Sequence, residues 1–153
     1  MNLEKAILIA ITAHQGQTDK AGVPYILHPL RVMLSCKTED EQICAVLHDV
    51  IEDTAVTFED LRVAGFKEEI IAVLDALTKR KNETYDDFIN RVIQNQLACH
   101  IKLADLSDNM NLSRIPNPSK QDYQRVEKYV IASDRIVNAL VAFADASYVT
   151  SKK

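Results

Sequence analysis

Apolar positions recur at intervals of three and four along most of the chain, as in Ile43, Val46, Leu47, Val50 and Ile51, and rarely alternate in twos. That is the period of a helix with one buried face. Three glycines (16, 22, 65) and four prolines (24, 29, 116, 118) leave few places for hairpin turns. The first helix is predicted over about 3–15, and Gln17 to His28, with Gly22 and Pro24 inside it, is a loop. Pro29 suits the first turn of the next helix, and His28 before it is biased away from the α region, which puts it at a helix entrance. Thr38-x-x-Glu41 is a capping box that opens a helix to about Asp53. Thr57-x-x-Asp60 is a weaker cap for a short helix closed by Gly65. Further helices are expected at about 67–79, 84–95, 97–113 and 119–146, with Pro116 and Pro118 marking the last clear loop. The expected fold is all-α, a compact bundle of about seven or more helices forming a single domain over 1–153.

Composition narrows the classes of function. With 47% hydrophobic residues in 153 positions, the chain can build one ordinary core without disulfide staples. Eighteen Lys and Arg against 22 Asp and Glu give a formal charge of −4. The absence of a basic block argues against nucleic acid or an anionic membrane as the main partner. A small anionic ligand still fits if cations gather locally. Cysteines 36, 44 and 99 are odd in number and form no C-x-x-C pair, which points to small core fillers in a reducing, cytoplasmic setting. The apolar run Ala6 to Ile11 is short and its Lys5 is offset by Glu4, so it reads as a core helix. No stretch approaches the roughly 20 apolar residues of a membrane span.

Charge pattern singles out one helix. From Thr38 to Leu61 there are eight acidic residues and no Lys or Arg. Projected at 100° per residue, Ile43, Val46, Leu47, Val50 and Ile51 take one side, and His48, Asp49, Glu52 and Asp53 share the other. Two readings follow: a solvated polar face, or a negative field that requires a cation from elsewhere. Imidazole beside carboxylate suits Mn, Fe or Zn better than Ca or Mg. In Lys102 to Asn109 a second such site places Asp105 and Asn109 on one helix face. Asp105, flanked by apolar residues, needs a partner, either Lys102 or Arg114 in an ion pair or a metal. Taken together, His28, His48, Asp49 and Asp105 make a four-ligand set with room for water.

Five blocks extend the pattern: Ala13-His14-Gln15-Gly16-Gln17, Gly22-Val23-Pro24-Tyr25-Ile26-Leu27-His28-Pro29, Leu47-His48-Asp49-Val50-Ile51-Glu52-Asp53-Thr54, Leu77-Thr78-Lys79 and Ile101-Lys102-Leu103-Ala104-Asp105. In this order and spacing they resemble the HD-domain phosphohydrolases, and specifically the hydrolase domain of RelA/SpoT proteins and the stand-alone small alarmone hydrolases. The resemblance implies an all-helical enzyme, usually with Mn²⁺, that removes the 3′-pyrophosphate of guanosine tetra- or pentaphosphate. It assigns the metal to His28, His48, Asp49 and Asp105. Glu52 and Asp53 match the pair that orients or deprotonates the attacking water and assists the leaving group. Asn109 matches a nucleotide-contacting Asn, Lys20 a basic loop residue on phosphate, and Arg125 and Tyr129 resemble positions in the last helix.

The chain also departs from that pattern. Asp19 stands where the alarmone hydrolases commonly carry an Arg against the purine. After Asp105, residues Leu106, Asp108, Asn111 and Leu112 replace most of the family's basic and polar members. These changes keep open a different phosphorylated nucleotide or metabolite, attacked as a phosphomonoester, and a non-catalytic nucleotide sensor is a third reading. Arg31, Lys102 and the run Lys79-Arg80-Lys81 are candidate phosphate cations beside Lys20. His14 and Tyr25 read as packing residues, and His100 has no partner by spacing. Oligomeric state is not legible in the sequence.

Overall fold

A computed structural model describes residues 2–152. The order is α1 (Leu3–Ala13), α2 (Leu27–Leu34), α3 (Glu39–Leu47), α4 (Val50–Asp53), α5 (Phe58–Val63), α6 (Glu68–Leu77), α7 (Tyr85–Val92), α8 (Gln96–Met110), a 3₁₀ turn (Leu112–Arg114) and α9 (Lys120–Ser151). The only extended pairing among the described residues is an isolated bridge, Thr18 to Pro24, that pinches the loop after α1.

Helix starts follow local chemistry. Asn2, Thr38, Thr57, Thr84, Asn95 and Ser119 each accept a backbone N–H of the first turn through the side chain. At Thr38, Thr57 and Ser119 the acidic third residue returns a bond to the cap, a full capping box. Gly65, at φ +89°, turns the chain out of α5 in a left-handed conformation that favours glycine.

Two expectations are corrected. The helix expected to run unbroken to Asp53 ends at Leu47 and restarts as α4 after a turn at His48 and Asp49. The carbonyl of Ala45, which a continuing helix would present to the Asp49 N–H, meets the His48 imidazole at 2.6 Å. His28, expected outside the α region, is the second residue of α2. Pro29 is then the third, where no intrahelical N–H bond is required, so the helix accommodates it.

α3 is the central helix: Ile43, Cys44, Ala45, Val46 and Leu47 are all buried. It packs on α1, α2, α6 and α8, and α8 in turn packs on α2, α6, α7 and α9. The core joins these helices through Leu61, Leu74, Ile89, Ile101, Leu106 and Ile136. At about 25 cal/mol per Å² of apolar surface removed from water, each such side chain contributes roughly 1.5–3 kcal/mol. The consequence for function is positional: the C-terminus of α3, the start of α2 and the middle of α8 are fixed against one another. No described helix is long and apolar enough to cross a membrane.

Candidate active site

His28 comes from the first turn of α2, His48 and Asp49 from the turn between α3 and α4, and Asp105 from the middle of α8. His48 is 3% exposed. Because a carbonyl can only accept, its Nδ1 carries the hydrogen toward Ala45, and Nε2 faces inward. That Nε2 lies 3.0 Å from Asp49 Oδ2 and 3.4 Å from Asp105 Oδ1, yet is buried without a hydrogen-bond partner. His28 Nε2 lies 3.0 Å from Asp105 Oδ1 and 3.6 Å from Asp49 Oδ2. Single donor atoms of His28, His48 and Asp49 fall within 4.8 Å of one another. Asp105 is outside that triangle but reaches both imidazoles.

The cage is built to collect positive charge. Burial opposes ionisation of His48, but Asp49 and Asp105 outweigh it and raise the imidazole well above its ordinary range. Against the same desolvation, His48 holds the Asp49 carboxyl down to about 2, and Lys102 with the two histidines holds Asp105 well below a normal carboxylate. A buried imidazole nitrogen without a hydrogen-bond partner, a second imidazole and two carboxylates are the donor set of a borderline transition-metal site, where a bound cation would take the place of the proton on the ring. The residues present therefore fit a metal ion.

Each carboxylate is held from behind. Tyr25 donates its hydroxyl to Asp49 Oδ2 at 2.5 Å, and burial together with Asp49 pushes the phenol pKa up. Lys102 donates to Asp105 Oδ2 at 2.8 Å and Asn109 Nδ2 to Asp105 Oδ1 at 2.7 Å. Lys102 thus takes the ion-pair role that was one of two partners expected for Asp105. Tyr25 was missed as a site residue; its place in the Pro-Tyr-Ile-Leu-His block was the available signal. His28 Nδ1 lies 2.7 Å from Asp108 Oδ2, a contact the sequence did not announce.

Two clefts open beside the cage. One, of about 280 Å³, is lined by Asp49, Asp105, Glu52, Lys79, Lys102 and Tyr129. Tyr25 and Asn109 also line it and form the border with a second cleft of about 270 Å³ that holds Lys20, Arg114 and Arg125. The expected substrate residues are therefore divided: Tyr129 and Asn109 by the cage, Lys20 and Arg125 next door. Arg125 pairs with Asp122 at 2.5 Å, and Lys20 approaches the same carboxylate at 3.9 Å. Glu52 Oε2 accepts the Lys79 backbone N–H at 3.0 Å. Asp53 does not line the first cleft; its carboxyl pKa is raised by desolvation, then by Asp49 and Glu52.

The departures in sequence have local explanations. Asp19 Oδ1 accepts the N–H groups of Ala21 and Val23 at 2.8 and 3.2 Å, so its carboxylate braces its own loop. Leu106 is fully buried in the core, and Asn111 caps the 3₁₀ turn through Ser113 N–H. Arg31, expected among the phosphate cations, is bidentate to Asp108 at 2.8 and 3.0 Å. His100, without a partner by spacing, lies 3.0 Å from Glu41.

No protein-family model matches the chain. It is 35% identical over 133 residues to the bifunctional (p)ppGpp synthase/hydrolase SpoT of Escherichia coli K12, an alignment covering 78% of this chain and 19% of that protein. The chain is a RelA/SpoT homologue. The guanosine-3′,5′-bis(diphosphate) 3′-pyrophosphohydrolase of Borreliella burgdorferi is 34% identical over 134 residues, covering 77% of this chain and 20% of that one. The chain thus spans about a fifth of the length of these curated relatives. A solved structure of a metazoan orthologue of SpoT, described as hydrolysing ppGpp and acting in starvation responses, superposes with a TM-score of 0.70. It is 24% identical and covers 90% of this chain and 84% of its own. The RelA/SpoT homologue described here shares that all-helical HD-type fold.

Proposed function

We propose that this RelA/SpoT homologue is a metal-dependent hydrolase that removes the 3′-pyrophosphate from guanosine tetra- or pentaphosphate. The observation that carries the reading is the convergence of two imidazole Nε2 atoms, one of them buried and unpartnered, with the carboxylates of Asp49 and Asp105. The relatives named as 3′-pyrophosphohydrolases support the substrate. His28, His48, Asp49 and Asp105 would hold the ion, and Mn²⁺ is the metal we assign. Such an ion supplies Lewis-acid polarisation of the phosphoryl group and acidifies water.

The chain's own residues do the rest. Lys79 and Lys102 face the metal-side cleft and balance the charge of the pyrophosphate, while Tyr129 gives an aromatic wall. Lys20 and Arg125 line the adjoining cleft and take the remainder of the nucleotide, with Asn109 at the border. Glu52, one turn after the ligand pair, accepts the proton of the attacking water. Asp53, the second member of the pair, delivers a proton to the departing 3′ oxygen. Water adds to the phosphorus next to the 3′ oxygen, the 3′ O–P bond breaks, and the products are a nucleoside 3′-hydroxyl and pyrophosphate. Asp19 and Asn111 brace their own turns and, with Asp108 and Leu112, also line the adjoining cleft, so the wall offered to the rest of the nucleotide is this chain's own.

The test separates ligand from base. Glu52→Gln is expected to bind Mn²⁺ normally and lose at least about 100-fold in kcat, whereas Asp49→Ala loses both. A Glu52→Gln enzyme at full rate contradicts the assignment.

A further inference from the structure

We infer that Asp108 is a positioning residue for the metal site: it fixes the tautomer and direction of His28 and so sets metal affinity. The inference rests on the reading of His28 as a metal ligand. Asp108 lies outside the proposed ligand set, three residues after Asp105 on α8.

The geometry is specific. Asp108 Oδ2 lies 2.7 Å from His28 Nδ1, and Oδ1 accepts Arg31 Nε at 2.8 Å. Arg31 makes a second bond to Oδ2 at 3.0 Å, and Arg114 reaches the same oxygen at 3.3 Å. The Asp108 side chain is 13% exposed, so these partners replace water around it. Both Asp108 oxygens accept from the Arg31 guanidinium, so the carboxylate stands as an acceptor toward His28 as well; Nδ1 donates and Nε2 is left facing Asp105 and Asp49.

Helix geometry explains how one residue supplies this role. Asp105 and Asp108 are three apart on α8, so they share a face. The same turn of α8 therefore presents one ligand and the residue that aims another. Arg31 lies three residues after His28 on α2 and closes the loop between the two helices. A carboxylate behind a ligating imidazole both orients the ring and increases its basicity, and loss of such a partner costs 10–100-fold in metal affinity. His48 has a backbone carbonyl in that position instead; the two imidazoles are thus aimed by different devices.

The experiment is titration of Mn²⁺ into the whole chain by calorimetry, with fold checked by circular dichroism and thermal melting. Asp108→Ala is expected to weaken Mn²⁺ binding by about 10–100-fold. Asp108→Asn keeps an oxygen that accepts the Nδ1 hydrogen and is expected to recover most of that loss. Arg31→Leu is expected to lower the melting temperature while Mn²⁺ affinity stays within about threefold, which separates aiming His28 from tying α2 to α8. Wild-type affinity in Asp108→Ala, or in Asp108→Leu should the alanine variant not fold, together with loss of binding in His28→Ala, overturns the inference and leaves the metal reading standing. If wild type fails to bind, or His28→Ala binds as wild type does, the metal reading itself falls and the inference with it.

Discussion

At the scale of single residues, each imidazole is decided by what its second nitrogen meets. His48 meets a carbonyl, His28 a carboxylate, and His14 an amide. Gln17 Nε2 donates to the Asp53 carbonyl at 2.9 Å, which leaves its oxygen to accept from His14 Nδ1 at 2.8 Å. This two-bond clamp fixes the end of α4, where Glu52 and Asp53 sit. Gln17→Leu is expected to lower kcat by about tenfold through misplacement of that pair, with Mn²⁺ affinity within twofold of wild type. Steady-state kinetics and calorimetry on one preparation check both. The four proposed ligands were legible from residue types and spacing. Tyr25 and Asp108 were not, because their contacts with Asp49 and His28 depend on which helices pack together, separations of 24 and 80 residues.

At the scale of elements, caps and one arginine place the helices that carry the chemistry. Thr38 and Glu41 start α3, whose far end delivers His48. Thr38→Ala is expected to cost about 1 kcal/mol, read as a lower urea midpoint at unchanged slope. Arg91 on α7 bonds the carbonyls of Asp75 and Thr78 at the end of α6 and pairs with Glu83 in the loop that follows. The bond from Arg91 holds the Glu83 carboxyl down to about 2, below the usual 4.5. A depressed carboxylate stabilises the fold above its unfolded pKa, and the contribution fades as pH falls from 4.5 toward 2. Glu83→Gln is therefore expected to lower stability at pH 7 and to flatten its decline below pH 4.5, measured by urea unfolding across that range. Capping boxes were readable at Thr38 and Thr57 because they are local. The break at His48 was not, since the hydrophobic period continues through it while the Ala45 carbonyl meets the imidazole.

At the scale of the whole molecule, the cage is a meeting point of α2, α3 and α8, so ion binding and folding are linked. Saturating Mn²⁺ at 100 times its dissociation constant is expected to stabilise the fold by about 2.7 kcal/mol. A chelator should remove that gain, and His48→Ala should never show it; thermal melting with and without metal reads both. Leu47, fully buried one residue before His48, ties the site to the core. Leu47→Ala is expected to cost about 2–5 kcal/mol. The all-α class was legible from periodicity and the scarcity of turn residues. The division of substrate residues between two clefts was not, because Lys20 and Arg125 lie 105 positions apart and only the packed chain places them together. The central claim is the reaction itself. Its most direct test is incubation with Mn²⁺ and guanosine 3′,5′-bis(diphosphate), with products resolved by ion-exchange chromatography. The account predicts guanosine 5′-diphosphate and pyrophosphate in equal amounts; an intact tetraphosphate in the presence of metal-loaded protein, or orthophosphate as the released product, contradicts it.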